Sequence, residues 1–264
     1  MTQKTDELLA RSLTAETTEL IPFLPYLLQD FWALGSSPRD IAGLIKKHML
    51  LDKQTKILDL ACGKGAVSIH IAQNLGVNVY GFDLTSEFID YSKEKAKELN
   101  VAELCNFTVA DANNVVNTER GYDCVIFGAA GNILGNPEET LRKLIQTIKP
   151  GGYIIIDEAY LSDDVNNSEV KYKNYEYLSH NEWRSLFESN GLFLVEELQS
   201  NGDYDFDTDN NNIAKRALEL ISKYPEKKSI FEGYVKSQLA ECEDLTDNLV
   251  AITWMLQKTT GHNK

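Results

Sequence analysis

Residues 57–72 read ILDLACGKGAVSIHIA. Ile57, Leu58, Leu60 and Ala61 make a short apolar run of strand length, broken only by Asp59. Gly63-Lys64-Gly65 follows, and then Val67, Ile71, Ala72 and Leu75 recur at helical spacing. A buried strand therefore enters a glycine turn and leaves it as a helix. Turns of this kind hold anionic or nucleotide-bearing ligands, because glycine admits close backbone approach and a helix N-terminus presents free N–H groups.

The same rhythm continues on both sides. Runs rich in Val, Ile, Phe and Tyr recur at 56–61, 78–83, 105–111, 122–128 and 153–160, with helical patterns between them such as LRKLIQTI, where Leu141, Leu144, Ile145 and Ile148 align. Ser37-Pro38 with Asp40, Asn136-Pro137 with Glu139, and Ser179 with Glu182 read as helix starts, and Gly191 as a helix stop. Strands alternating with helices imply an α/β fold, a mostly parallel sheet with helices on both faces. The pattern changes near the C-terminal end, where strands at 191–199 and 247–258 are separated by about fifty residues. They can pair with each other. The intervening SNGDYDFDTDNNN (200–212) reads as an acidic loop and IAKRALELISKY as a helix, together an insertion over about 200–246. Residues 1–36 read as an N-terminal helical cap. Within it Leu27, Leu28, Phe31 and Trp32 sit at helical spacing, suited to covering the core edge or closing over a ligand.

Composition narrows the function. The net charge is −14, and in the nearest thing to a basic run, SKEKAKEL (92–99), the lysines alternate with glutamates as on a solvated helix face. Nucleic acid and anionic membranes are poor partners for such a chain, and a small molecule is the expected one. The N-terminal residues carry no signal-peptide pattern, no apolar run reaches membrane-spanning length, and the four cysteines form no CxxC pair. The expectation is a cytoplasmic protein without a metal site. The acidic run near 203–212 lacks the glycine and glutamate of a calcium loop.

Which ligand the glycine turn holds is decided by its surroundings. A dinucleotide fingerprint needs a third glycine where Ser68 stands. Asp59, four residues before Gly63, would repel a pyrophosphate but suits a ligand bearing an ammonium and a sulfonium. LDLACGKG resembles motif I of the class I S-adenosylmethionine-dependent methyltransferases. Asp83 in VYGFDLT, Asp111 in FTVADA, YDCVIFGAAGN, the KPGG turn before YIIIDEAY, and the strand pair at the end all fall where that family has its counterparts. The resemblance covers roughly residues 37–200 and the last strand. It implies a Rossmann-like seven-stranded sheet with the last strand antiparallel, in a methyltransferase domain spanning 37–264. It implies S-adenosylmethionine as cofactor, bound by Asp59, Ala61, Gly63, Gly65, Asp83, Leu84, Asp111, Ala112 and Gly128. In that family the residue at Asp83 accepts from the ribose hydroxyls, and the residue at Asp111 meets the adenine.

The chain looks closest to bacterial small-molecule methyltransferases related to quinone-biosynthesis enzymes. It lacks the (D/N)PPY segment of enzymes acting on exocyclic amines of bases or on protein glutamine; FGAAGN stands there instead. Methyl transfer from a sulfonium is an in-line displacement with a neutral leaving group, so it needs placement and only sometimes a base. Weak candidates for the catalytic group are Glu158 and Tyr160 at the end of the fifth strand. Tyr26, Trp32, Asn132, Glu158, Tyr160 and Tyr204 are the candidate acceptor pocket. The atom methylated and the oligomeric state are not legible. Two rival readings stay open: a non-catalytic S-adenosylmethionine-binding protein, and an NAD-dependent oxidoreductase, which leaves KPGG unexplained.

Overall fold

The apolar runs form seven strands: β1 Lys56–Leu60, β2 Asn78–Asp83, β3 Cys105–Val109, β4 Tyr122–Gly128, β5 Ile148–Leu161, β6 Leu192–Gln199 and β7 Leu249–Lys258. In the computed structural model, which describes residues 2–173, 175–200 and 205–259, they make one sheet of order β3-β2-β1-β4-β5-β7-β6. Strands β1 to β5 run parallel, and β7 is antiparallel, as the family resemblance implies, lying between β5 and β6. The helices are α1 Gln3–Ser12, α2 Leu24–Leu27, α3 Pro38–His48, α4 Ala66–Leu75, α5 Ser86–Glu98, α6 Ala112–Thr118, α7 Pro137–Thr147, α8 His180–Ser189, α9 Phe206–Lys223 and α10 Lys228–Asp247.

Side-chain alternation divides the core in two. Val125 and Phe127 of β4 join Leu58, Leu60, Ile154, Ile156 and Trp254 in a layer under α6, α7 and α8. Ile126 joins Ile57, Ile155 and Met255 in a layer under α3, α4 and α5. The expected starts are present. Ser37 caps α3 by accepting from the Asp40 N–H, and Asn136/Glu139 and Ser179/Glu182 form full capping boxes on α7 and α8. Gly191 takes a left-handed φ of 68° after α8. Among the described residues no helix is long and apolar enough to cross a membrane.

Two expectations are corrected. Leu27, Leu28, Phe31 and Trp32 do not share one helix; Pro22 lies within a 3-10 turn over Thr18–Phe23, and the short α2 ends at Leu27. The acidic stretch read as loop to 212 is helical from Phe206. Asp205 caps α9 by accepting from the Thr208 N–H, and buried Ile213, Ala217 and Leu220 hold the helix down. A third small core joins the N-terminal segment to the insertion: Ala10, Leu20, Leu24 and Leu27 pack on Ile213, Leu220, Phe231 and Tyr234.

Candidate functional site

The strand order reverses at β1, whose neighbours are β2 and β4. Open α/β sheets bind ligands outside the carboxyl ends of the strands at such a point. A crevice opens there. Its floor is the C-terminal ends of four strands: Ala61 and Gly63 after β1, Asp83 and Leu84 after β2, Ala110 and Asp111 after β3, and Gly128 to Ala130 after β4. Its roof is α1, through Thr5, Leu8, Leu9, Ser12 and Leu13, together with Leu34.

The glycine loop is held from below. Asp83 is 8% exposed, and its two carboxylate oxygens accept from the Gly63 N–H at 2.9 Å and the Thr85 N–H at 2.8 Å. A carboxylate accepts about four hydrogen bonds, so capacity remains toward the crevice. Burial raises the Asp83 pKa. Gly63 has φ +53°, and a Cβ there would press on Leu34 Cδ1 at 3.1 Å. Ala61 and Ala129 also hold left-handed φ values, 55° and 48°, a strained conformation for alanine that recurs at ligand sites.

Seven of the nine expected cofactor residues line this crevice: Ala61, Gly63, Asp83, Leu84, Asp111, Ala112 and Gly128. The other two support it. Asp59 is 4% exposed and accepts from the Ser68 hydroxyl at 2.5 Å; burial, with the charge of Asp83 as a lesser contribution, pushes its carboxyl up to about 7. Gly65 starts α4 with φ +71°, and a Cβ there would meet Phe107 Cζ and Ser92 Cβ at 2.9 Å. It permits helix–sheet packing and does not line the crevice. Asp111 caps α6, accepting from the Asn113 N–H at 2.8 Å, while its residue remains on the wall.

Lys64, the third residue of CGKG, ties the loop to the N-terminal segment. It is 4% exposed, and its Nζ donates to the carbonyls of Leu28 and Phe31, each at 2.6 Å. In return the Trp32 indole N–H donates to the Lys64 carbonyl at 3.1 Å. Burial lowers the Lys64 pKa to about 8.

The candidate acceptor residues disperse. Trp32 is a fastener, as above, with the Lys95 ammonium over its ring at 5.5 Å. Tyr26 is 40% exposed and donates to Glu219 at 2.6 Å, on the outside. Tyr160 accepts from Gln199 and packs by His180 and Trp254 in the core. Asn132 sits in the turn after β4, its carbonyl accepting from the Gly135 N–H, and does not line the crevice. Tyr204 lies outside the described residues. Glu158 alone stays close. It follows Asp157, which pairs with crevice-lining Gly128, and it accepts from the Tyr175 hydroxyl at 3.0 Å. Burial pushes its carboxyl up to about 7. A Cβ on Gly131 would lie 3.9 Å from Tyr175 Cε2 and 4.0 Å from Ser12 Cα, so Tyr175 borders the crevice rim. The roof helix lies in the stretch read as a helical cap, but none of its residues is singled out in the sequence reading. Its signal was Thr2, which caps it, and the apolar Leu8, Leu9 and Leu13.

Comparison with known proteins bears on this geometry. Residues 51–217, well over half of the chain, match a protein family described as a methyltransferase domain. The chain belongs to the methyltransferase-domain family. It is similar to the uncharacterized protein YjhP of Escherichia coli, 36% identical over 109 residues, 40% of this chain and 42% of that protein. It is also similar to norajmaline N-methyltransferase of Rauvolfia serpentina, 28% identical over 104 residues, 39% of this chain and 36% of that enzyme. The matched stretches thus span about two fifths of these relatives' lengths. Among solved structures the fold is shared with a SAM-dependent methyltransferase from Geobacter sulfurreducens in complex with S-adenosyl-L-homocysteine. The TM-score is 0.75 at 20% identity, covering 89% of this chain and 97% of that one.

Proposed function

We propose that this methyltransferase-domain protein binds S-adenosylmethionine in the crevice and transfers its methyl group to a small-molecule acceptor. The observation that carries the reading is Asp83. Its carboxylate stands twenty residues after Gly63, clasps the glycine loop, and keeps acceptor capacity on the crevice wall. A buried carboxylate of that kind suits a vicinal diol better than a phosphate.

Each residue then has a task. Asp83 accepts from the ribose hydroxyls; Ala110, Asp111, Ala112, Asn113 and Ile133 enclose the adenine; Ala61, Gly63 and Gly128 flank the methionine part. Bound there, the cofactor supplies an electrophilic methyl on a sulfonium, open to in-line displacement. The chain itself orients the partners and excludes water, chiefly through the apolar residues of α1 and Leu34. The small size of the acceptor is supported by that roof and by the charge of −14, which disfavours nucleic acid.

The test is a thermal-shift titration with S-adenosylhomocysteine, beside NAD and beside Asp83→Ala. At a hundredfold its dissociation constant, a ligand adds about 2.7 kcal/mol to the folded state. The expected result is stabilisation by S-adenosylhomocysteine alone, lost or greatly weakened in the variant. An equal response to NAD, or none to S-adenosylhomocysteine, refutes the reading. A binder that transfers no radiolabelled methyl to any acceptor in a small-molecule extract is the non-catalytic alternative.

A further inference from the structure

Beyond the crevice rim lies a second group of polar side chains. Glu158 of β5 accepts from Tyr175, whose ring is 4.6 Å from that of Tyr177, centroid to centroid. Facing them, α10 presents Tyr234, Ser237, Glu241 and Asp244, spaced as one helix face. Glu241 accepts from the Thr14 hydroxyl at 2.5 Å, just past the roof helix. Asp244 is satisfied: it accepts from the N–H groups of Lys171 and Tyr172 and from Asn248.

Two features of this group are unexplained by folding alone. First, Glu158 and Glu241 have no cationic partner among the described residues. The partners of Glu158 and Glu241 are a backbone N–H and two hydroxyls. The charges that act on them are acidic: Asp157 and Glu241 on Glu158, and Asp244 on Glu241. Buried charges are ordinarily paired, since an unpaired one costs several kcal/mol. Second, the Tyr234 hydroxyl is buried and has no hydrogen-bond partner among the described residues, although the residue is 1% exposed. The groups that bear on that hydroxyl electrically are Glu241 and Tyr172. The Ser237 hydroxyl, one turn further on, is likewise unpartnered. Glu158, Tyr175 and Glu241 are each partly exposed, and Ser12, next to them in the chain of contacts, lines the crevice.

We propose that the methyl acceptor is an amine that binds as its ammonium ion between Glu158 and Glu241, walled by Tyr175, Tyr177 and Tyr234; the ammonium gives one proton to a carboxylate of that pair, the freed nitrogen lone pair forms the new N–C bond as the S–CH3 bond breaks, and the neutral thioether leaves. An ammonium supplies the missing positive charge, donates to both carboxylates and to the idle Tyr234 oxygen, and lies against aromatic faces that attract cations. The inference rests on the methyltransferase reading, because it takes the adjoining crevice as the cofactor site.

The test is calorimetric titration of the full-length chain, saturated with S-adenosylhomocysteine at pH 7.5. The probes are benzylamine and its uncharged isostere benzyl alcohol, applied to the wild type and to Glu158→Gln, Glu241→Gln and Tyr234→Phe. Retained S-adenosylhomocysteine affinity shows that each variant is folded. Expected are benzylamine binding at least about tenfold tighter than the alcohol, and a loss of about tenfold in each glutamine variant. Equal affinity for amine and alcohol, an amine affinity unchanged in both glutamine variants, or no amine binding to the S-adenosylhomocysteine complex overturns the proposal while leaving the cofactor reading intact. Failure of S-adenosylhomocysteine itself to bind overturns both.

Discussion

Replacing Lys64 by Met tests how the N-terminal segment is fastened to the glycine loop. Methionine has about the same length and no donor, so packing is largely kept. The Phe31 carbonyl loses a charged donor at 2.6 Å, and the Leu28 carbonyl loses another but keeps the Phe31 N–H at 3.2 Å. Leaving these carbonyls under-satisfied costs about 2–4 kcal/mol, and removing a buried charge returns part of that. The net loss near pH 7 is about 1–3 kcal/mol, or about 2–6 °C in Tm for a chain of this length. The pH dependence is the sharper test. Burial holds the folded pKa at about 8 against an ordinary 10.5. Between those values the unfolded chain binds a proton that the folded chain does not, so the lysine's contribution to stability rises with pH across that window. A neutral amine still carries two N–H groups, one for each carbonyl. The gap between wild type and Lys64→Met in urea melts should therefore widen from pH 8 to pH 10, by at most about 3 kcal/mol. A gap that narrows over that range, or a Tm difference under about 0.5 °C at pH 7, refutes this account of the fastening.

Asp83→Asn should lower S-adenosylhomocysteine affinity about thirtyfold or more by calorimetry, since a charged acceptor facing hydroxyls is worth about 1.5–3 kcal/mol per bond. The ligand-free protein should also melt lower than wild type, because asparagine keeps one acceptor oxygen and turns an NH2 group toward the Gly63 or Thr85 N–H. Gly65→Ala should destabilise by about 2–4 kcal/mol in denaturant melts, from left-handed strain plus the clash with Phe107 and Ser92 at 2.9 Å. For Glu158→Gln the raised pKa of about 7, against 4.5, means that the folded chain holds a proton that the unfolded chain gives up between those values. The wild type thus loses stability as pH rises through that window, so the variant should gain on it from pH 5 to pH 8 by up to about 3 kcal/mol and stay level above. Chemical denaturation at the two pH values checks this.

What was legible in the sequence is what local rules write there. Gly63, Asp83 and Asp111 were found because strand ends, a glycine turn and fixed spacing place them along the same edge of a parallel sheet. Cap residues such as Asn136 with Glu139 act within one turn, so their signature is short and reliable. The acceptor side is less legible, for the opposite reason. Tyr26 and Trp32 are aromatic and lie in the cap, but whether such residues face inward depends on where Glu219 and Lys64, far away in sequence, come to rest. The start of α9 was hidden because Asp and Asn favour turns in isolation; the burial of Ile213, Ala217 and Leu220 against the N-terminal segment overrides that preference. Tyr175 and Glu241 carry no local signature at all, since only the tertiary fold brings them beside Glu158 and Thr14.

The place of β7 has a consequence for how the chain is made. It is the last strand in chain order, yet it lies between β5 and β6. About fifty residues separate the end of β6 from the start of β7, which at 5–20 residues per second is roughly 3–10 s of synthesis. Throughout that interval β6 has no neighbour in the sheet, and the apolar flank of β5 is an open edge able to recruit strands from other nascent chains. The stretch that emerges meanwhile is α9 and α10, whose contacts with each other are local and form quickly. That helix pair can therefore assemble while the sheet beside it is still waiting to close.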